Sequence, residues 1–226
     1  MSSARTEILA RIRRAHQQAL LPDATGITPE PPQPSPFAQP LPQVFAQALI
    51  AVQGKPHHCR TTDDVADLVA EICRKQEQTQ VLGWQPAALP LPDLPAALAA
   101  RGIELLESQL GQQRRQQLDA LNPVLVGLTG AAAGLARTGS LVLLADSQHG
   151  RLASLMPDIH IALLRQSDIY ADIAAWMAAP GTSEAIASHS NTVVITGPSR
   201  TADIAQTLTL GAHGPRELHV ILLDSP

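Results

Sequence analysis

The sequence predicts an α/β domain built on a mainly parallel sheet, and three observations lead there. From about residue 43 onward, short β-branched or apolar runs alternate with segments of helical periodicity. The run Pro123 to Leu128 is apolar without alternation, as a strand covered on both faces should be. The last apolar runs, Val193 to Ile195 and Leu218 to Leu223, bracket a polar segment marked by glycine and proline.

Composition sets the class. Of 226 residues, 45% are hydrophobic and 16% charged, which suits a globular chain with a substantial core rather than a disordered one. Only 2% are aromatic, so the core must be made of Leu, Ile, Val and Ala, and base-stacking platforms for single strands are ruled out. A net charge of −4 argues against a general nucleic-acid surface. Cys59 and Cys73 are too few for a four-cysteine iron–sulfur cluster and lack zinc spacing, and two reduced thiols are expected. Arg5, Glu7, Arg11, Arg13 and Arg14 interrupt any apolar leader, and no run approaches the roughly 20 residues of a membrane span. A cytoplasmic protein is the expectation.

In chain order, residues 3–20 read as an amphipathic helix with Ile8, Ile12, Ala15 and Ala19 on one face. Residues 22–42 hold eight of the nineteen prolines and resist both helix and sheet, so they form a strap or linker. The expected division is therefore 1–42, helix plus strap, and 43–226, the α/β domain. Within the domain, Gln43 to Val52 is helical and Lys55 to Arg60 extended. His57 and His58, adjacent on a strand, point to opposite faces and make a poor chelating pair. Thr61 to Asp64 has capping-box character ahead of a helix whose buried face is Val65, Leu68, Val69 and Ile72. Thr79 to Trp84 is a strand, Asp93 to Ala100 a helix, Ile103 to Leu106 a strand and Gln112 to Leu121 a polar-faced helix. After Pro123 to Leu128, small residues run from Thr129 to Gly134. Thr138-Gly139-Ser140 then precedes the apolar strand Leu141 to Leu144, and Ile159 to Leu164 is a strand carrying His160.

Two stretches carry candidate chemistry. A Thr138-Gly139-Ser140 turn offers two hydroxyls and accessible amides to a carboxylate, phosphate or thioester oxygen, or else serves simply as a hairpin turn. Thr196 to Ile204 reads as a buried strand, a tight turn and a helix start, a place where unpaired N–H groups hold anions. Arg200 adds a bidentate cation, while Ser199, Thr201 and Asp203 either bind or cap. Gly211 to Pro215 forms a second turn in which His213 can titrate near neutral pH. Neither a G-x-G-x-x-G fingerprint after a strand nor a P-loop is present, and the scattered histidines give no convincing metal site.

Taken together, Thr-Gly-Ser before an apolar strand, Arg and Ser before Pro-Asp-x-His-Ile, Gly-Pro-Ser-x-Thr-x-Asp-Ile, and Gly-x-His-Gly-Pro before a last strand resemble the LutC/YkgG lactate-utilization family built on the LUD domain. The resemblance covers about residues 43–224. It implies the three-layer α/β/α sandwich of the NagB/RpiA/CoA-transferase-like superfamily. It also implies a cluster-free subunit of a multi-protein L-lactate oxidation system. Iron–sulfur clusters then belong to companion proteins, and no cofactor is expected in this chain. By motif match the ligand-binding residues are Thr138, Gly139, Ser140, Ser199, Arg200, Thr201, Asp203, His213 and Gly214, with catalytic residues unassigned. Members of the family often carry an acidic residue where this chain has Arg137, and that replacement favours anion binding over carboxylate catalysis. The expected partners are the companion iron–sulfur proteins and a small anionic metabolite, with a homo-oligomer left open. The alternatives are a stand-alone isomerase or acyl/CoA-transferase-like enzyme, whose nearby carboxylates would be Asp158 and Asp203, and a non-catalytic scaffold or metabolite sensor.

Overall fold

A computed structural model of the chain describes residues 3–18, 37–108, 114–201, 209–210 and 214–224. The chain divides into two compact units, Met1–Ser35 and Pro36–Pro226. The first contributes helix α1 (Ser3–Gln18), on which Ile8, Leu9 and Ile12 are exposed.

The second unit runs through helix α2 (Leu41–Ala51), strand β1 (Lys55–Cys59), α3 (Thr62–Lys75), β2 (Gln80–Gly83), α4 (Leu94–Ala99), β3 (Glu104–Glu107), α5 (Arg114–Leu121) and β4 (Val126–Gly130). A hairpin follows, β5 (Ala133–Leu135) and β6 (Ser140–Ala145), then α6 (Leu152–Leu155), β7 (Ile159–Arg165) and β8 (Ile169–Tyr170). The remainder is α7 (Ile173–Met177), α8 (Thr182–Ser188), β9 (Asn191–Ile195), β10 (Arg200–Thr201), β11 (Thr209–Leu210) and β12 (Glu217–Leu223).

The main sheet has the order β1-β12-β7-β4-β2-β3 and every pairing in it is parallel. Register places Gly127, His160 and Leu218 side by side on one face. That face meets α6, because a side chain on Gly127 would overlap the Ala153 carbonyl. The opposite face carries Val126, Ile159, Leu128 and Ile161. All five residues of β4 are buried, which is why Pro123 to Leu128 reads as an unbroken apolar run. Helix α3 begins as its sequence indicates: Thr61 Oγ1 accepts from the Asp64 N–H at 3.1 Å, and Asp64 accepts from the Thr61 N–H at 3.0 Å.

A second sheet, β8-β5-β6-β9, stands beside the first and is partly antiparallel. Strand β6 alternates between two cores. Leu141 and Leu143 join the main one, while Val142 and Leu144 pack with Ala133, Leu135 and Trp176 in a smaller one. Strand β9 departs from expectation. Among the described residues it is an edge strand whose one partner is β6, with Val193 and Ile195 turned inward and Thr192, Val194 and Thr196 exposed. An edge strand has one covered face, whereas the apolar triplet Val193-Val194-Ile195 suggested two. Cys59 and Cys73 are buried free thiols, with Cys73 pushed up to about 11 by burial. No helix among the described residues is long and apolar enough to cross a membrane.

Candidate functional site

Of the residues that sequence reasoning proposed, Thr138, Gly139 and Ser140 form the β5–β6 hairpin turn. Gly139 takes φ +64°, and a side chain there would overlap the backbone of Ala48 and Leu49, so the turn is pressed against α2. Thr138 and Ser140 hydroxyls lie 2.7 Å apart, and Ser140 Oγ is 2.8 Å from Thr196 Oγ1. The turn hydroxyls thus tie this hairpin to the end of β9. Arg137 lies with its Nε 3.5 Å from Asp172 and its guanidinium 4.7 Å from the Phe37 ring centre, so its charge is met by a carboxylate of the fold itself.

Of the expected strand, turn and helix start at 196–204, only the strand end and the turn fall on described residues. Gly197 at φ +74° turns the chain, and Arg200 and Thr201 are then extended and pair with Leu210 and Thr209. Arg200 is exposed and donates to the Val52 carbonyl at 2.9 Å. Ser199 and Gly214 do meet: the Ser199 N–H donates to the Pro215 carbonyl at 2.8 Å. With Ser154, His160 and Leu218 they line a cleft of about 210 Å³ at the amino ends of β7 and β12. Asp203 and His213, and the expected helix from Ala202, lie outside the described residues. Asp158 has Arg216 Nε 3.8 Å away.

A larger cleft, about 450 Å³, opens at the carboxyl ends of the parallel strands. It takes Trp84 from just after β2, Gly130 to Ala132 from the end of β4 and Arg165 from the end of β7. The chain goes from β2 to β3 on one side and then places β4, β7 and β12 on the other. The cleft therefore sits where the strand order reverses, the place where open parallel sheets bind ligands. Arg165 donates to the Pro90 carbonyl at 3.1 Å, and among the described residues no carboxylate pairs with it. His149 and His189 stand in the same cleft.

Those imidazoles are held by Asp146. Its Oδ1 accepts from the N–H groups of Gln148 and His149, at 2.7 and 2.9 Å, and lies 2.7 Å from His149 Nδ1. Burial opposes ionisation of Asp146, but these bonds outweigh it and hold its carboxyl down to about 2. The Trp84 and His149 rings stand perpendicular, 4.6 Å between centres, and Trp84 donates from Nε1 to the Gly150 carbonyl. Sequence reasoning singled out none of Trp84, Asp146, His149, Arg165 or His189. The Asp-Ser-Gln-His order at 146–149, with an Asx-type turn written into it, was the available signal. His189, forty residues on, has no local signature.

The family model described as the LUD domain matches residues 42–223. An uncharacterized protein of Neisseria meningitidis serogroup B is 38% identical over 97 residues, 43% of this chain and 41% of that one. Lactate utilization protein C of Macrococcus caseolyticus is 29% identical over 168 residues, 73% of this chain and 70% of that protein. Its namesake from Deinococcus radiodurans is 31% identical over 141 residues, 61% and 60% of the two chains. The matched stretches thus span from about two fifths to seven tenths of these relatives. The crystal structure of a DUF162 family protein from Deinococcus radiodurans superposes with a TM-score of 0.51. It is 23% identical and covers 81% of this chain and 96% of that one, a likeness of fold.

Proposed function

This chain belongs to the LUD domain family, and on that premise we propose that it serves lactate utilization as the acid-binding, cluster-free component of a multi-protein oxidation system. The relatives named lactate utilization protein C support the metabolic role. One observation carries the choice of site: Arg165, with no carboxylate to neutralise it among the described residues, faces the same switch-point cleft as His149 and His189. A guanidinium holds a carboxylate with two parallel hydrogen bonds, and an imidazole beside it can take or return the proton of a neighbouring hydroxyl. A 2-hydroxy acid presents both groups on adjacent carbons. Its oxidation to the 2-oxo acid releases two electrons and two protons. In this reading the electrons pass to the iron–sulfur clusters of companion proteins, while this chain binds and orients the acid.

The loops at 138–140 and 196–199 have a different part in this reading. The hydroxyls of Thr138, Ser140 and Thr196 are bonded to one another, and Arg200 reaches the end of α2.

The test is the thermal stability of the purified chain with L-lactate, D-lactate, glycolate, pyruvate, sugar phosphates and CoA esters. At about 100 times its dissociation constant a ligand that binds only the folded state stabilises by roughly 2.7 kcal/mol. Stabilisation by 2-hydroxy acids is the expected result. A response confined to phosphates or CoA esters transfers the chain to the stand-alone enzyme reading, and no response to any acid leaves the scaffold reading.

A further inference from the structure

The hydrogen bonds around Asp146 are lopsided. All of its bonds to backbone N–H groups and to His149 fall on Oδ1. Oδ2 instead faces Nε2 of His189 at 3.5 Å. The other nitrogen of that ring, Nδ1, is 2.6 Å from the Ala185 carbonyl. A carbonyl only accepts, so Nδ1 carries the proton, and in the neutral ring Nε2 is a lone pair. A carboxylate oxygen and the second imidazole nitrogen therefore face each other, a pair that either a proton on Nε2 or a bound metal cation satisfies.

A carbonyl-bonded imidazole with its free nitrogen turned inward is the usual outer-shell support of a metal ligand. The third donor is His149, and one ligand atom from each of Asp146, His149 and His189 lies within 4.8 Å of the other two. Two ligands of a tetrahedral ion at about 2.05 Å stand about 3.3 Å apart, so small side-chain rotations close the set. All three side chains are partly exposed, and both imidazoles line the 450 Å³ cleft, which gives an ion an entry path and leaves coordination positions open.

We propose that Asp146, His149 and His189 bind one divalent first-row transition-metal ion, of the Zn²⁺ or Co²⁺ kind, in the wall of the switch-point cleft. Two imidazoles and one carboxylate suit such an ion better than Mg²⁺ or Ca²⁺, which take oxygen ligands. Three protein ligands with open positions are the arrangement of sites that bind a substrate rather than of closed structural sites. A 2-hydroxy acid would occupy the open positions through its carboxylate and hydroxyl oxygens; this last step alone rests on the acid-binding reading above.

The experiment is calorimetric titration of the full, chelator-treated chain with Zn²⁺, together with the visible absorption of Co²⁺ and the quenching of tryptophan fluorescence by Co²⁺. The expected result is one ion per chain, displaced by protons as the pH falls. His189→Gln and Asp146→Asn should each weaken binding by about 100-fold, with the metal-free circular dichroism unchanged. Asp146→Asn keeps an oxygen for the turn, and His189→Gln lies outside that turn, so one variant remains informative if the other unfolds. His57→Ala is the control and should leave stoichiometry and affinity as they were. No binding, or binding that both variants retain, overturns the proposal. L-Lactate should then change the Co²⁺ spectrum. A bound ion with a spectrum indifferent to every acid sustains the metal site and removes the acid reading. Lactate stabilisation of a chain that binds no ion does the reverse.

Discussion

Nε2 of His160, a residue 1% exposed, lies 2.8 Å from Thr129 Oγ1, while Nδ1 of the same ring has no hydrogen-bond partner among the described residues. Burial pulls this imidazole down to about 3 from an ordinary value of 6.5, so the folded protein holds it neutral. Between those limits the unfolded chain binds the proton and the folded chain does not. Stability from this group is therefore complete above pH 6.5 and is lost as pH falls. From pH 7 to pH 5 the loss from one such group is about 2 kcal/mol. His57 and His219 are also lowered, burial being the first cause in each, so the whole protein should lose more than that. Urea unfolding at both pH values should show His160→Leu losing about 2 kcal/mol less than the parent. Equal losses in the two proteins would mean that His160 takes its proton while folded.

The Ser140–Thr196 contact joins the β5–β6 hairpin to the end of β9. Ser140 is buried, so removing its partner strands a hydroxyl away from water. Thr196→Ala, which takes this partner from the buried Ser140 hydroxyl, should cost about 1–3 kcal/mol, and Ser140→Ala less, because the Thr196 hydroxyl it leaves is exposed and can bond to water. In a double-mutant cycle the pair should couple by more than about 0.5 kcal/mol, and the Ser140→Ala chain should keep its response to acids. Loss of that response with stability intact would return the turn to the binding site.

Gly139→Ala should be worse than either. The left-handed φ of +64° costs a side chain about 1–2 kcal/mol, and the added methyl also meets backbone of α2 that cannot rotate aside. A melting temperature near that of the parent would show that α2 can withdraw from the hairpin.

Much of the frame was legible because each strand of the main sheet is a local event. Lys55 to Arg60, Thr79 to Trp84, Ile103 to Leu106, Pro123 to Leu128, Ile159 to Leu164 and Leu218 to Leu223 all overlap observed strands, and the capping box at Thr61 and Asp64 is formed. Strand order is not local, so the switch point between β2 and β4 could not be read. The same gap hid Arg165, which the sequence shows only as the residue after Leu164 in an apolar strand. Val193 to Ile195 misled for a related reason: three β-branched residues favour a strand wherever it lies, and burial depends on neighbours that sequence does not name. The Thr138 to Ser140 and Ser199 to Thr201 stretches have the residue types of an anion site. What decides the partners of the Thr138 and Ser140 hydroxyls is the approach of β6 to β9, again a pairing between distant parts of the chain.

Trp176 is the anchor of the smaller core, 5% exposed among Ala133, Leu135, Val142 and Leu144. Truncating a buried tryptophan to alanine costs about 3–5 kcal/mol. Because α7 and α8 contribute Trp176, Ala185 and Ile186 to this cluster, Trp176→Ala should loosen the helix that ends at Ser188, beside His189. Hydrogen exchange should rise in residues 173–190 while β12 and β7 stay protected. Uniform deprotection of both sheets would show the two cores unfolding as one.

Arg165 and Arg200 separate the two locations for an anion. Each donates one hydrogen bond to a backbone carbonyl, Pro90 for Arg165 and Val52 for Arg200, and neither has a carboxylate partner among the described residues. They differ in surroundings: Arg165 lines the switch-point cleft with two imidazoles, whereas Arg200 lies on a two-residue strand and reaches the end of α2. A charge-assisted bond to a carboxylate contributes about 1.5–3 kcal/mol, so Arg165→Ala should weaken a 2-hydroxy acid by about 10- to 150-fold. Arg165→Lys should recover only part of it, since an ammonium cannot make the paired bonds of a guanidinium. Arg200→Ala should bind the acid as the parent does. If Arg200→Ala abolishes the response and Arg165→Ala preserves it, the acid binds at the 196–201 loop and the cleft at the strand ends serves another ligand.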